Sequence, residues 1–296
     1  MRTLFGESIL EILVNKVKWF VDTYKPDTIY MFFSGGKDSL ATLLATIYSG
    51  NAVVRRLVIV FNEITGNTHP KNIKQVYRVL DKLGLPHPVV VESPPYIRIK
   101  AYVLRGDRTL HIAARNRHGE DFWSSMLRWG IPVKLKNGKR WCYNEFKEKH
   151  WRYLPYHVTR YEIIGIKRSD SHFRLRAWQR AVGGVRTVTK ADGTKVVQFS
   201  PIIDLTDEQV WWAIKEAGLE HLLETYKLCG DSLNCMFCPL RNMGKQQRVV
   251  EWLAKNSPEA LLKARQVLEK LAKDRGSVSS QIASKWLEMV NNYLDR

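Results

Sequence analysis

Three stretches of this 296-residue chain bring together residue types that do chemistry. The first is Ser34-Gly35-Gly36-Lys37-Asp38-Ser39, which follows the apolar run TIYMFF and opens into DSLATLLATIY. A strand that runs into a glycine-bearing loop and then a helix N-terminus makes an anion site. Glycines let backbone N–H groups close on phosphate oxygens, and the helix dipole, Lys37 and the hydroxyls of Ser34 and Ser39 add to the attraction. Asp38 would repel phosphate unless Mg2+ bridged them, so it reads as a metal ligand or as an organiser of the loop. The second stretch, GIKRSDSHFR from Gly165 to Arg174, offers Arg168 and Arg174 as groups to hold charge on a departing phosphate, with Lys147 as a further cation of that kind. The third is Cys229-x5-Cys235-x2-Cys238, to which Cys142 adds a fourth thiol. In a reducing compartment this array reads as metal ligation, by 4Fe-4S or by structural Zn2+, rather than as two disulfides.

The elements that position these residues are legible from periodicity. Between Thr28 and Pro95 β-rich runs (TIYMFF, RLVIVF, PVVVES) alternate with helical ones (DSLATLLATIY, NIKQVYRVLDKL), which predicts parallel strands joined by crossover helices. YEIIGIK from Tyr161 and SPIID from Ser200 are expected to extend or flank the sheet, and Thr206 with Gln209 offers a capping box for the helix that follows. Beyond Cys238 the chain reads as helices, with Ser257 and Pro258 placed to cap and start one. The expected fold class is therefore α/β, a Rossmann-like parallel sheet with helices on both faces and a helical C-terminal region, with ligands at the strand C-termini.

Composition narrows the partner. With 47 Lys plus Arg against 29 Asp plus Glu, the net charge is +18, which points to a polyanion. Residues 98–152 carry 14 Lys or Arg against 5 Asp or Glu, interleaved with Tyr102, Phe122, Trp123, Trp129, Trp141 and Trp151. That segment reads as a basic, aromatic-rich insertion that either is solvated or presents a nucleic-acid surface beside the active-site mouth, with Arg115, Arg117, Lys134 and Lys136 as contacts. No apolar run approaches the ~20 residues of a membrane span. The first twenty residues lack the pattern of a secretory signal, so a cytoplasmic address is expected.

SGGKDS is not the Walker pattern; it resembles the PP-loop of ATP pyrophosphatases, which split ATP between the α and β phosphates to adenylate a substrate. Four further segments resemble the PAPS reductase-like branch of that superfamily, in order: FNEITGNTHPKN (Phe61 to Asn72), RWCYNEFK (Arg140 to Lys147), GIKRSDSHFR and SPIIDLTDEQVW. The branch includes DndC-type DNA-phosphorothioation sulfurtransferases. The resemblance implies an adenine nucleotide alpha hydrolase-like fold, ATP on Ser34 to Ser39 with Lys37 and Asp38 in the chemistry, and adenosine beside Phe61, Thr65 and Gly66. It also implies that Gly165 and Arg168 face the nucleotide, and it favours 4Fe-4S over zinc on Cys142, Cys229, Cys235 and Cys238. True reductases of PAPS or APS resemble one another in a degenerate first loop and a C-terminal Glu-Cys-Gly-x-His nucleophile, and this chain has an intact SGGKDS and no Cys after Cys238.

The expected organisation is residues 1–97 as the first part of the PP-loop domain, 98–152 as the insertion, 153–228 as the rest of the α/β domain, and 229–296 as cysteine array and helices. The expected function is adenylation of an acceptor by Mg-ATP for cluster-assisted sulfur transfer to nucleic acid, in DNA phosphorothioation or tRNA thiolation. If all four thiols hold iron, sulfur must come from an external donor such as a cysteine desulfurase. Reduction of PAPS or APS and a non-catalytic, nucleotide-gated nucleic-acid-binding module are the alternatives. An oligomer is compatible with each of these readings.

Overall fold

The structure, a computed structural model, describes residues 8–132, 140–190, 193–273 and 277–295. Seven strands form one sheet in the order β3-β4-β2-β1-β5-β7-β6, with β1 Ile29–Phe32, β2 Leu57–Ile64, β3 Val89–Ser93, β4 Thr109–Ala114, β5 Thr159–Ile164, β6 Val185–Thr189 and β7 Lys195–Phe199. Only β6 runs antiparallel, against β7. Ile29 of β1 stands opposite Leu57 on one side and Tyr161 on the other. Both faces are apolar, as a parallel sheet between helical layers requires. Along β2, Leu57, Ile59 and Phe61 point into one core with the helices Ile9–Tyr24, Lys37–Tyr48, Pro70–Lys82 and Asp207–Glu216. Val58, Val60 and Ile64 point into the other, against helices that include Phe122–Trp129, Met243–Asn256, Pro258–Ala272 and Val278–Leu294. The α/β architecture and the helical C-terminal region follow the sequence expectation.

Several local details differ. Segment 98–152 is not wholly an addition to the sheet: β4 lies inside it, hydrogen-bonded between β3 and β2. Most of its aromatic residues pack inward, with Phe122, Trp123 and Trp141 buried in the second core. Ser200 to Asp204 form turns rather than strand, and the edge is built from the residues just before them, β7 and its hairpin partner β6. Pro201 has no N–H to give a ladder, which fits a strand ending at Phe199. The capping box forms, with Thr206 Oγ1 accepting from the Gln209 N–H and Gln209 Oε1 from the Thr206 N–H. Pro258 opens its helix after Ser257, whose side chain makes no capping hydrogen bond. Lys134 and Lys136 lie outside the described residues.

This topology fixes where a ligand fits. From β1 the chain builds β2, β3 and β4 to one side, then returns to build β5, β6 and β7 on the other. The C-terminal end of β1 is thus the switch point of the sheet, where diverging connections leave a crevice. Residues 34–39 occupy it.

Candidate active site

The loop after β1 is held from within and from behind. Gly35 has φ +80°, a conformation that a residue with a Cβ rarely takes. Ser39 Oγ accepts from the Ser34 N–H at 3.2 Å and lies 3.1 Å from Ser34 Oγ, while its own hydrogen goes to Gly36 O at 2.9 Å. Behind the loop, Asn72 Nδ2 donates to Ser34 O at 3.1 Å and Gln75 Nε2 to Gly35 O at 2.6 Å. On its other flank a Cβ added at Gly165 would fall 2.6 Å from Asp38 O, so the chain after β5 can pass here only as glycine. Gly165 thereby belongs to the site through the backbone. The Lys37 N–H, at the start of the helix, donates to Tyr226 Oη at 3.1 Å.

Charges in front of the loop are interlocked. Lys37 Nζ lies 2.9 Å from Asp38 Oδ1 and 2.8 Å from Asp207 Oδ1. Lys167 Nζ contacts the same Asp207 oxygen, lies 2.8 Å from Asp170 Oδ1, and is 3.7 Å from Asp38 Oδ1. Arg174 closes the set by pairing with Asp170. Burial works to lower the Lys167 pKa, and hydrogen bonds to Asp170 and Asp207 outweigh it and raise it. Asp207 is held down to about 2 by its hydrogen bonds from Lys167 and Lys37. Lys167 and Asp207 are therefore both charged near neutral pH.

The loop opens into a cleft of ≈ 580 Å³ whose lining includes Ser34, Lys37, Asp38, Ser39, Lys147, Gly165, Lys167 and Arg174, together with Cys235 and Cys238. Arg168 takes no part in that lining: its guanidinium turns to Asp204 at 3.4 Å and its N–H to Ile203 O. Lys167, one residue earlier, is the cation that reaches the loop. Phe61 also departs from the expectation. It is fully buried, its ring 4.8 Å from that of His111, and cannot meet an adenine there. Thr65 and Gly66 likewise lie away from the cleft; Thr65 bonds through its backbone to Ala114 and Phe122, and Gly66 faces Asp121 and Trp123.

The segment from Phe61 to Asn72 serves instead as a brace. Its Asn72, with Gln75 three residues on, holds the loop carbonyls. Asn67 pairs with both backbone groups of Phe237, at 3.1 and 2.9 Å, and Thr68 Oγ1 lies 3.2 Å from Asn234 O. The His69 N–H donates to Leu233 O. Gln75 Oε1 accepts from the Thr225 N–H at 3.0 Å, so one side chain ties the loop to the helix that carries Cys229. Arg241, with no flag in the sequence, clamps the cysteine segment through Met236 O, Ser232 O and Cys235 O at 2.6, 3.1 and 2.8 Å.

Of the four thiols, all unpaired as disulfides, three are neighbours. Burial pushes Cys142 up to about 12, and the charges of Cys235 and Cys238 add to the rise. Cys235 is raised by burial and by Cys238 against the pull of Lys147. Cys229 stands apart in its bonding, its Sγ 3.6 Å from both Thr225 O and Asp231 O. Among the described residues no group of three or more His, Cys, Asp or Glu side chains is arranged to hold a metal ion. A four-thiolate ligand set for iron or zinc does not fit this arrangement, in which Cys229 is engaged with carbonyls. Mg2+ needs less from the protein, since it is usually held by one or two carboxylates and by substrate phosphates; Asp38, at the rim of the loop, fits that demand.

No family model matches the chain. An uncharacterized protein of Methanocaldococcus jannaschii is 24% identical over 241 residues, 79% of this chain and 41% of that protein. The chain thus spans about two fifths of the length of the curated relative it matches. Among solved structures it is similar to a phosphoadenylyl-sulfate reductase of Candida auris in a phosphate complex, at TM-score 0.42 and 16% identity over 73% of this chain and 82% of that one. It is also similar to an NH3-dependent NAD synthetase of Campylobacter jejuni, at TM-score 0.41 and 10% identity over 97% and 95%. At these scores the likeness assigns neither family nor activity. Among the described residues no helix is long and apolar enough to cross a membrane.

Proposed function

We propose that the chain is a PP-loop ATP pyrophosphatase that adenylates an acceptor and passes it to sulfur transfer, with nucleic acid as the acceptor. One observation carries the reading: the glycine loop at the switch point and the thiols of Cys235 and Cys238 line the same cleft. A phosphate site alone suits many nucleotide proteins; a phosphate site that shares its cleft with two cysteines suits activation followed by attack of sulfur.

In this reading the polyphosphate lies against the loop of residues 34–39 and the start of its helix, with the ammonium groups of Lys37 and Lys167 on its oxygens. Mg2+, held by Asp38, supplies charge neutralisation when bound. An acceptor oxygen attacks the α phosphorus, the bond to the bridging oxygen breaks, and pyrophosphate leaves with Lys167 and Arg174 positioned to hold its charge. The acceptor proton goes to solvent. Hydrosulfide, released from the persulfide of an external donor such as a cysteine desulfurase by a thiol reductant, then attacks the activated atom. The bond from that atom to the AMP oxygen breaks, AMP leaves, the sulfur's proton goes to solvent, and Cys235 and Cys238 line the cleft in which this happens. No step passes through an iron-sulfur cluster. The +18 charge supports nucleic acid as the acceptor.

The test is release of pyrophosphate and AMP from ATP, assayed without acceptor, with tRNA and with duplex DNA. Release that rises with one nucleic acid and depends on Mg2+ is the expected result. Reduction of free adenylyl-sulfate with indifference to nucleic acid would replace the acceptor assignment by a reductase. Nucleotide binding with no pyrophosphate under any condition would leave a gated binding module.

A further inference from the structure

Asp207 has no part in that reaction, yet it pairs with both of the lysines that the proposed polyphosphate would use. Lys37 and Lys167 have only 9% and 5% of their side chains exposed, and both place Nζ on the same oxygen, Oδ1 of Asp207. Asp207 itself is 64% exposed. Two nearly enclosed lysines that line the cleft thus share one peripheral carboxylate, which lines it with them. Its two companions are more deeply seated: Asp38 and Asp170 are 26% and 20% exposed. Asp170 is further committed to Arg174 and to the Lys167 N–H at 3.2 Å. The capping box of Thr206 and Gln209 fixes the backbone of this helix start without using the Asp207 carboxylate.

We infer that Asp207 is an internal occupant of the anion site, holding Lys37 and Lys167 together at rest and turning out to solvent when the phosphates of a polyphosphate take its place. The inference rests on the reading of this cleft as a polyphosphate site. It has a distinctive consequence. Lys37, Lys167 and Arg174 are balanced by Asp38, Asp170 and Asp207, so the resting cluster is neutral and draws a free anion weakly. An incoming ligand must outcompete a tethered carboxylate, which two or more phosphate groups spanning both lysines can do better than a single inorganic phosphate. Asp207 would then favour polyphosphates over the abundant monophosphate.

The experiment is calorimetric titration of the intact chain with pyrophosphate and, separately, with inorganic phosphate, comparing wild type with Asp207→Asn and Asp207→Glu. The Asn variant keeps the shape and removes the charge, and should bind pyrophosphate about tenfold tighter, the scale of two partly exposed ion pairs released. Inorganic phosphate should gain at least as much, and the Glu variant, which keeps the charge, should stay near wild type. Structural damage weakens binding, so the sign of the change separates the lock from a folding role; Asp207→Ser replaces the Asn variant should the latter lose its cooperative melt. Unchanged or weaker pyrophosphate binding in the neutral variants, with the wild type binding normally, overturns the lock alone. If neither wild type nor variant binds pyrophosphate or Mg-ATP, the polyphosphate reading falls and the lock falls with it.

Discussion

The two edges of the sheet handle charge in opposite ways. At the C-terminal edge, around the glycine loop, Lys37, Lys167 and Arg174 are each paired with a carboxylate, and the two lysines are nearly enclosed. At the N-terminal edge a second cleft of ≈ 510 Å³ lies between the start of β1, the start of β5 and the helix Ile97–Arg105. Lys25, Lys100 and Arg108 line it, all exposed, with Asp27 as its acid. None of these three cations has an ion-pair partner among the described residues. Arg160, in the wall, is the exception: its Nε lies 2.8 Å from Glu162 Oε1. Paired and buried charge is preorganised, and suits a small ligand met at short range. Unpaired and exposed charge gives long-range attraction without a fixed geometry, and suits a phosphate backbone. The positive surplus of segment 98–152 is accordingly divided: Lys147 reaches the loop cleft, whereas Lys100 and Arg108 stand on the far edge.

The largest expected effect breaks the paired edge at Asp38, the carboxylate proposed to hold Mg2+. Asp38→Ala should cut Mg2+-dependent AMP formation by about a hundredfold to a thousandfold, the scale of losing one preorganised charge in the transition state. The fold should survive, because Lys37 and Lys167 retain Asp207. AMP formation at the wild-type rate, in a variant with an unchanged melting temperature, would remove the loop from the chemistry.

How much of this edge was legible in the sequence follows from which interactions are local. Strand, loop and helix N-terminus are consecutive from Ile29 to Tyr48, so the anion site could be read directly. Lys167 and Arg168 are adjacent, and spacing alone does not say which one faces the loop; the tight passage at Gly165 and the bond from the Arg168 N–H to Ile203 O decide it. Phe61 was decidable. On β2 it shares the parity of Leu57 and Ile59, and alternation places all three in one core. β4 was obscured by averaging, since TLHIAA is an apolar run between Arg108 and Arg115 in a segment judged by its net charge. Asn67, Thr68 and Gln75 act across the fold, on partners as far as 170 residues away, and a single sequence does not reveal such pairs. Arg241 acts locally, on backbone carbonyls whose direction no side-chain pattern records.

An intermediate effect comes from acid, and it should loosen the paired edge. His69 and His150 are fully buried, and each is held near 4 from an ordinary 6.5. Burial is the main cause in both; for His69 the charges of Lys71 and Arg241 add to it, and for His150 hydrogen bonding at Glu145 opposes it. Both stand by this edge, His69 capping the helix after β2 and His150 with Nδ1 2.9 Å from Ser93 Oγ at the end of β3. A folded pKa below the unfolded one means that the unfolded chain binds more protons between the two values. Stability should therefore be full above about pH 6.5 and decline as the pH falls toward 4, by up to about 3 kcal/mol per histidine. Urea unfolding at intervals from pH 7.5 to 4 measures it. His69→Gln and His150→Gln should each flatten the decline, and a profile unaltered by both would assign the acid sensitivity elsewhere.

The smallest effect tests the unpaired edge. Reversing Lys100 and Arg108 to Glu should weaken binding of tRNA or duplex DNA about tenfold at moderate salt and reduce the salt slope of the affinity by about one for each phosphate that is no longer neutralised. The change should leave Mg-ATP binding as it was, because the two clefts lie at opposite ends of the strands. A five-residue strand spans roughly 17 Å, a distance that a few nucleotides cover, so a chain seated on the far edge can still present a reactive group to the loop. Reversing Arg115 and Arg117 provides the contrast. Arg117 is already spent on Glu145 at 2.8 Å, and its loss should cost folding stability more than nucleic-acid affinity. If that second pair instead governs binding and the far edge does not, the acceptor approaches along the strand ends after β4, and the exposed cations of the N-terminal edge serve something other than the acceptor.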